Sequence, residues 1–384
     1  MKLTYENNFK SQREDGRFVS HMAAHMERMR HYKPILALPE NITAEEFPVW
    51  QNKLKNKLIE LLNMPEFTEQ PAPTHLWSKQ RDGYRVEKWE LYPDDYGAVP
   101  FLMLIPDGVS AENKAPAVLC IPGSCTSKEL LAGEPLIERE ACSDAPHPDR
   151  NKMALHMVKN GYVALAFDNP ETAECSVGDK LYVSRTHMCF GYIQSGLCYA
   201  GISTFEKLCG IEFIKTLDFV DTERIAVSGH SLGATAAKML AIISDDVKAI
   251  VYNDFVCEPI NRYVATTEED DGRMDQNTGI WHGIPGLWKW FSDIDLLAAI
   301  APKPLALNEG GAINHIETPR RAYELLGVSD RLRVTHYPKY ADCEKKPAGN
   351  HGYSPETYFE VCNIDPTDHS FRPEVSLKFL KKFI

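Results

Sequence analysis

One serine of the 384-residue chain stands in a setting that favours nucleophilic chemistry. The segment Gly229-His230-Ser231-Leu232-Gly233 fits the pattern G-x-S-x-G, with an apolar strand before it and a helical segment after it. A serine on so sharp a turn needs flanking glycines, because a Cβ atom there would collide with the crossing strand and helix. The pattern predicts Ser231 as a nucleophile and the backbone N–H of Leu232 as an oxyanion donor.

A histidine must take the proton of such a serine, since a serine hydroxyl is by itself a weak nucleophile. On turns of this kind the acid and then the histidine follow the serine along the chain. His369 lies after the last predicted strand and just ahead of the terminal helix, in DPTDHSF (365–371). The order therefore predicts His369 as the base. His351, in GNHG (349–352), is the second candidate and is expected to shape the pocket.

Three carboxylates could orient this histidine. Glu309 ends the predicted strand KPLALNEG (303–310), which places a charge between an apolar strand and two glycines. Asp254 ends the strand before it, and Glu258 follows Asp254 in the next loop. The spacing favours Glu309 as the acid and leaves Asp254 open as the alternative.

The second oxyanion donor is expected in the loop after the apolar strand PAVLCIPG (116–123). The main-chain N–H of Ser124, with that of Cys125 as an alternative, would face the N–H of Leu232 across the bound carbonyl oxygen. Pro122 has no N–H to offer.

A β-α rhythm supplies the elements that must position these residues. Short apolar strands alternate with helical segments from residue 116 onward, which predicts a mostly parallel sheet with helices on both faces. YRVEKWELYP and VPFLMLIP, joined by a PDDYGA turn, predict an antiparallel hairpin ahead of it. The remaining predicted strands are 161–168, 224–231, 247–254 and 331–338.

The predicted domains are a helical N-terminal extension over residues 1–75, packed on a catalytic domain over 76–384. Irregular insertions at about 169–202 and 255–292 interrupt the catalytic domain, as lids and binding loops do. Their aromatic side chains suit sugar rings or form the core of a lid. They are Phe190, Tyr192, Trp281, Trp288, Trp290 and Phe291, of which Trp281 and Trp288, together with His351 outside the insertions, are predicted to bind substrate.

Composition excludes several classes of protein. The chain has 42 Lys and Arg against 54 Asp and Glu, and a net charge of −12 argues against a nucleic-acid partner. The longest apolar runs, such as AVLCI and YVALAF, are far shorter than the roughly 20 residues of a membrane span.

Cysteine and histidine spacing indicates neither a disulfide framework nor a metal site. None of the ten cysteines forms a C-x-x-C pair, which predicts reduced, buried thiols. This favours a cytoplasmic location, or a periplasmic or secreted one if a signal peptide has been removed. His21 and His25 share a helical face but lack an acidic partner, so no metal or other cofactor is expected.

Taken in order, these segments resemble the acetyl xylan esterase-like group of the α/β-hydrolases, which is related to the dienelactone-hydrolase-like carbohydrate esterases. The resemblance covers about residues 80–384. Beyond GHSLG, it rests above all on PGS followed by KELLAGEP. It implies the α/β-hydrolase fold, Ser231 as nucleophile, His369 as base, and backbone donors at Ser124 and Leu232. The sequence departs from the group at the acid, because the stretch from Gly311 to His315 holds no Asp.

These features predict a serine esterase, which is a carboxylic ester hydrolase. It is expected to remove acyl groups, above all acetyl groups, from saccharides. The expected partner is a small-molecule or oligosaccharide ester, with no membrane and an undetermined oligomeric state. The alternatives are another carboxylesterase or a peptidase of the same fold, or a non-catalytic binding protein that has lost its acid.

Overall fold

A computed structural model gives the fold for most of the chain. It describes residues 10–67, 72–124, 126–136, 147–177, 185–258, 279–340, 359–360 and 362–384. The strands in these ranges are β1 Thr74–Arg81, β2 Tyr84–Leu91, β3 Val99–Pro106, β4 Ala115–Ile121, β5 Val163–Phe167, β6 Val220–His230, β7 Val247–Asn253, β8 Leu305–Leu307 and β9 Leu332–Val334. They form one nine-stranded sheet in the order β1-β2-β3-β5-β4-β6-β7-β8-β9.

The sheet is mostly parallel with an antiparallel start. β1, β2 and β3 pair antiparallel, β3 also pairs antiparallel with β5, and all pairings from β5 to β9 are parallel. The predicted hairpin and the predicted parallel sheet are both confirmed. β1 was not predicted, because most of its side chains are exposed and it shows no alternation of apolar and polar residues.

Helices cover both faces of the sheet, as the alternating pattern predicts. Leu119 and Ile121 of β4 pack on one face, while Val118 and Cys120 pack on the other. The helices are α1 His21–Arg30, α2 Phe47–Leu62, α3 Lys128–Ala132, α4 Met153–Val158, α5 Arg185–Gln194, α6 Tyr199–Lys215, α7 Leu232–Ile243, α8 Leu287–Trp290, α9 Asp293–Ala298, α10 Ile313–Leu325 and α11 Pro373–Phe383. The first face is covered by α2, α6, α7, α9 and α10, and the second by α3, α4 and α11.

The expectation that both insertions are irregular needs correction. The insertion at 169–202 contains α5 and the start of α6, and the described part of the insertion at 255–292 contains α8. Only Arg185 and Cys189 of α5 are buried, so the helix carries no apolar stripe by which the sequence could reveal it.

None of the helices in the described ranges is long and apolar enough to span a membrane.

The expectation that all ten cysteines are free thiols is wrong for one pair. Cys257 and Cys362 form a disulfide that joins residues 105 positions apart. The spacing could not reveal it, because the two residues meet only through the folded loops after β7 and ahead of α11. The described free cysteines are Cys120, Cys175, Cys189, Cys198 and Cys209, of which Cys120, Cys189 and Cys198 are fully buried.

Candidate active site

Ser231 lies at the junction of β6 and α7, on a turn with a strained backbone. Its φ of +51° and ψ of −119° fall in a region that residues with a side chain seldom adopt. A Cβ atom at Gly229 would overlap the carbonyl oxygen of Gly233, and one at Gly233 would overlap that of Ile121. The Ser231 N–H donates to the Asn253 carbonyl oxygen at 3.0 Å. The strand-turn-helix geometry expected of G-x-S-x-G is therefore present.

His369 and Glu309 meet at the carboxyl edge of the sheet. Nδ1 of His369 lies 2.6 Å from Oε2 of Glu309. Glu309 is fully buried, whereas a quarter of the His369 side chain is exposed. The other carboxylate oxygen of Glu309 accepts the N–H of Ser370 at 3.1 Å and the amide of Asn253 at 3.2 Å. A carboxylate on Nδ1 keeps the proton on that nitrogen, which leaves Nε2 as the proton acceptor.

Asn253 and His230 surround this pair and were not foreseen from the sequence. The fully buried Asn253 side chain also donates to the carbonyl oxygen of Ser370 at 3.0 Å and accepts the N–H of Arg372 at 2.9 Å. The ring of His230 lies 4.6 Å from that of His369, between centroids. Burial and the nearby His369 lower the pKa of His230 to about 4, so its ring is neutral at neutral pH. The one feature of the sequence that could have pointed to Asn253 is its position at the end of a predicted strand, directly before Asp254, the alternative acid.

His230, Glu309 and His369 are also the described residues whose chemistry and spacing suit a metal ion. Their candidate ligand atoms lie within 4.8 Å of one another. The close His369–Glu309 hydrogen bond accounts for this arrangement without an ion, since it is the contact that a base and its orienting acid need.

The loop after β4 passes directly over the serine. An added Cβ atom on Gly123 would lie 3.4 Å from Cβ of Ser231 and 3.2 Å from the His230 ring. Ser124 follows in the same loop, and Leu232 is the first residue of α7 and is buried. Both proposed oxyanion donors therefore lie on segments beside Ser231. Cys125 lies outside the described residues.

The two alternative acids lie in other surroundings. One carboxylate oxygen of Asp254 accepts the N–H of Phe255 at 3.0 Å, while the carboxylate on His369 Nδ1 is that of Glu309. Burial, together with Asp293, raises the pKa of Glu258 to about 8. A carboxyl group that holds its proton at neutral pH is a poor partner for an imidazolium ion. The geometry favours Glu309 over both.

The predicted substrate-binding residues separate into three cases. Trp281 packs beside Leu232, Cys189 and Tyr199, near the proposed oxyanion site. Trp288 packs partly buried against the main core of the sheet. His351 lies outside the described residues.

The other insertion aromatics divide in a similar way. Phe291 is fully buried in the main core, and Trp290 packs against that core with the Lys57 ammonium group 4.1 Å above its ring. Phe190 on α5 is 60% exposed. Trp288, Trp290 and Phe291 thus all pack in or against the main core of the sheet.

The match to a protein-family model shows to which family the chain belongs. The model of the Abhydrolase family matches residues 4–382. The chain belongs to the Abhydrolase family. A similar solved structure is that of a candidate acetyl xylan esterase from Bacteroides fragilis NCTC 9343. It is 34% identical to this chain, with a TM-score of 0.88 and 97% of each chain covered. These matches confirm the resemblance, the α/β-hydrolase fold and the enzyme class, a carboxylic ester hydrolase.

More distant relatives of this family member add information on the fold. A glucuronoyl esterase from Solibacter usitatus is 14% identical, with a TM-score of 0.55, over 91% of this chain and 96% of its own. At that identity the likeness concerns the fold alone. The candidate hydrolase YtaP of Bacillus subtilis is 24% identical over 204 residues, which are 53% of this chain and 55% of YtaP. The match thus spans about half the length of that relative.

Proposed function

We propose that the chain is a serine esterase that hydrolyses acyl esters on saccharides, acetyl esters above all. The observation that carries this proposal is the convergence of a strained Ser231 with the hydrogen-bonded His369–Glu309 pair at one edge of the sheet. The 34% identical candidate acetyl xylan esterase supports a carbohydrate ester as substrate.

The first half of the reaction forms an acyl-enzyme. Oγ of Ser231 attacks the ester carbonyl carbon while Nε2 of His369 takes the hydroxyl proton, and the carbonyl oxygen becomes an oxyanion. The N–H groups of Ser124 and Leu232 stabilise that charge. The C–O bond to the sugar then breaks, and His369 gives its proton to the departing sugar oxygen. Glu309 stabilises the imidazolium ion that forms between these transfers.

The second half releases the acid. A water molecule loses one proton to Nε2 of His369 and attacks the acyl carbon, and the bond to Ser231 breaks as the proton returns to Oγ. The sum is ester plus water giving alcohol plus carboxylic acid. No cofactor or metal ion enters this balance.

Acetate release from acetylated xylan oligosaccharides and from a chromogenic acetate ester tests the proposal. Ser231→Ala should abolish turnover of both. Ser228→Ala is the matched control, because Ser228 is a buried serine on β6, the strand that leads into Ser231, and it should keep the parent rate. Equal rates in parent and Ser231→Ala would reject the nucleophile.

The same assays separate the alternative functions. Parent activity on the chromogenic ester without acetate release from the oligosaccharides would indicate another carboxylesterase, and cleavage of peptide substrates a peptidase. A parent inactive on every short ester would favour the binding protein. The position of Glu309 speaks against that last reading, because the orienting carboxylate whose absence motivated it is present at His369.

A further inference from the structure

Two side chains hold the backbone of the loop that carries Ser124, that of Asn169 just after β5 and that of Arg185 at the start of α5. The Asn169 amide donates to the carbonyl oxygen of Pro122 at 2.7 Å and to that of Gly123 at 3.4 Å. The Arg185 guanidinium donates to the carbonyl oxygen of Ser124 at 3.3 Å. Asn169 is 1% exposed and Arg185 fully buried. Three consecutive carbonyl groups of the loop are therefore fixed by two buried side chains.

Fixing a carbonyl group also fixes an N–H group. A trans peptide unit is planar, so the N–H of a residue points opposite to the carbonyl of the residue before it. The N–H of Ser124 belongs to the peptide unit whose oxygen, that of Gly123, accepts the Asn169 amide. The backbone N–H and the hydroxyl of Thr126 donate to that oxygen as well, at 3.4 and 3.3 Å. Asn169 thus turns the Ser124 N–H away from itself.

The far end of the same loop is held by the residue that precedes Asn169. One carboxylate oxygen of Asp168 accepts the backbone N–H of Lys128 at 2.7 Å, and the other contacts the Lys128 ammonium group at 2.8 Å. All these groups are buried. Adjacent residues just after β5 therefore hold both described parts of this loop, residues 122–124 and 126–128.

The residues that hold the loop are themselves firmly supported. The Arg185 guanidinium also donates to the buried hydroxyl of Thr172 at 2.7 Å, and the Tyr199 hydroxyl donates to the carbonyl oxygen of Pro170 at 2.9 Å. The segment that carries Asn169 is thus tied to α5 and α6. Such support matters because oxyanion donors act only at about 2.7–3.1 Å from the developing charge.

We propose that Asn169 is a positioning residue for the oxyanion hole, which aims the Ser124 N–H at the acyl oxygen by holding the Pro122 and Gly123 carbonyl groups. This inference rests on the proposed esterase function of Ser231. Asn169 touches neither substrate nor nucleophile in this role and acts through the peptide unit. Its effect belongs to the transition state, where the oxyanion exists, more than to binding of the neutral ester.

The test compares Asn169→Leu, close in size but without a donor, with the parent on the chromogenic acetate ester. Rates are normalised by titration of Ser231 with a fluorophosphonate. We expect kcat to fall about 10- to 100-fold, somewhat less than loss of an oxyanion donor outright, with KM within about 3-fold. Affinity for an acetyl-like trifluoromethyl ketone, which forms a tetrahedral adduct with Ser231, should fall by a similar factor as kcat.

Asn160→Leu is the matched control. Asn160 also donates its amide to a backbone carbonyl oxygen, that of His156, but it precedes the amino end of β5 and so lies at the opposite edge of the sheet. It should leave both readouts unchanged. If Asn169→Leu gives no soluble protein, Thr126→Val, which removes another donor to Gly123, should lower kcat and ketone affinity together by a smaller factor.

The inference is overturned if kcat of the Asn169 variant, or of Thr126→Val in its place, matches the parent. A fall in kcat with unchanged ketone affinity overturns it as well, since a merely structural defect would produce that pattern. Failure of the esterase proposal looks different, because Ser231→Ala would then keep the parent rate or the parent would show none.

Discussion

At the scale of single residues, the choice between Glu309 and Asp254 can be decided by exchanging each carboxylate for its amide. A glutamine at 309 could offer an N–H to Nδ1 of His369 and so place the ring proton on Nε2, where it cannot accept from serine. Glu309→Gln should lower kcat by roughly 10³-fold. Asp254→Asn should stay within about 3-fold of the parent, since its carboxylate accepts the N–H of Phe255 and Glu309 holds the histidine. A larger fall for Asp254→Asn would reassign the acid.

A second residue-scale prediction concerns acid stability. His315 is 4% exposed, and burial lowers its pKa from 6.5 to about 4. The unfolded chain takes up this proton near pH 6.5 and the folded chain only near pH 4, so stability is full above pH 6.5 and is lost as the pH falls towards 4. The loss is on the order of 3 kcal/mol for this group.

Urea unfolding at pH 7.5 and 4.5 measures that loss. In His315→Gln the side-chain oxygen can still accept the N–H of Glu258, which Nδ1 accepts in the parent at 3.2 Å. We expect the variant to lose less free energy of unfolding between the two pH values than the parent. His31→Gln, at an exposed histidine, is the control. An identical pH dependence in parent and His315→Gln would contradict the prediction.

Single residues also show how far the sequence alone could lead. Ser231, Glu309 and His369 could be proposed from the sequence because the motif and the order of residues along the chain can be read without the fold. The structure brings the three segments to one edge of the sheet. Asn169 and Asn253 were missed, because their importance lies in which backbone groups they reach across the fold. Their roles, like those of Ser231, Glu309 and His369, stay predictions.

At the scale of elements, the short helix α3 depends on a buried charge cluster. The Lys128 ammonium group is fully buried and contacts the carboxylates of Glu129, Asp168 and Glu174 at 3.0, 2.8 and 2.6 Å. Removing the cation leaves the buried carboxylates of Glu129 and Asp168, and the partly exposed one of Glu174, close together without a positive charge between them. Lys128→Met should therefore lower the free energy of unfolding by about 3–5 kcal/mol.

Lys248→Met provides the comparison on the surface. Lys248 lies 3.5 Å from Glu223, whose side chain is 82% exposed. Its exchange should change the free energy of unfolding by less than about 1 kcal/mol. Urea unfolding of both variants gives the result, and similar values for the two would show that the Lys128 cluster adds nothing beyond a surface pair.

Helices and strands could be predicted from the sequence wherever burial leaves a regular pattern of apolar residues. The buried parallel strands and α7 appear as predicted, because runs of apolar residues and flanking glycines mark them. β1 and α5 were missed, since β1 is largely exposed and α5 buries only two side chains. Pairing with β2 stabilises β1 through backbone hydrogen bonds that leave little trace in the residue pattern.

At the scale of the whole molecule, the N-terminal helix α2 is part of the central core. Its residues Leu54 and Leu58 are fully buried in the main cluster, and the Gln51 amide donates to the carbonyl oxygens of Ala299 and Ala301. The prediction of an extension packed on the catalytic domain remains a proposal about domains. These contacts support that proposal and further suggest that the fold needs α2 to be stable.

Two substitutions on α2 test whether the fold needs it. Leu54→Ala should cost about 2–5 kcal/mol of unfolding free energy, because it leaves a cavity in the core. Val49→Ala, at a position 57% exposed on the same helix, should stay within about 0.5 kcal/mol. If α2 merely rests on the surface, the two variants will unfold at the same urea concentration.

The two oxygens of Glu309 have a consequence for how such a chain can diverge. One oxygen serves the imidazole ring, and the other holds the backbone of Ser370 and the side chain of Asn253. A lineage that abandons ester hydrolysis can lose the Ser231 hydroxyl without breaking any of these hydrogen bonds. Loss of the Glu309 carboxylate would break all of them and destabilise the fold. We expect non-catalytic descendants of this fold to discard the nucleophile early and to keep the glutamate long after its chemistry has ceased.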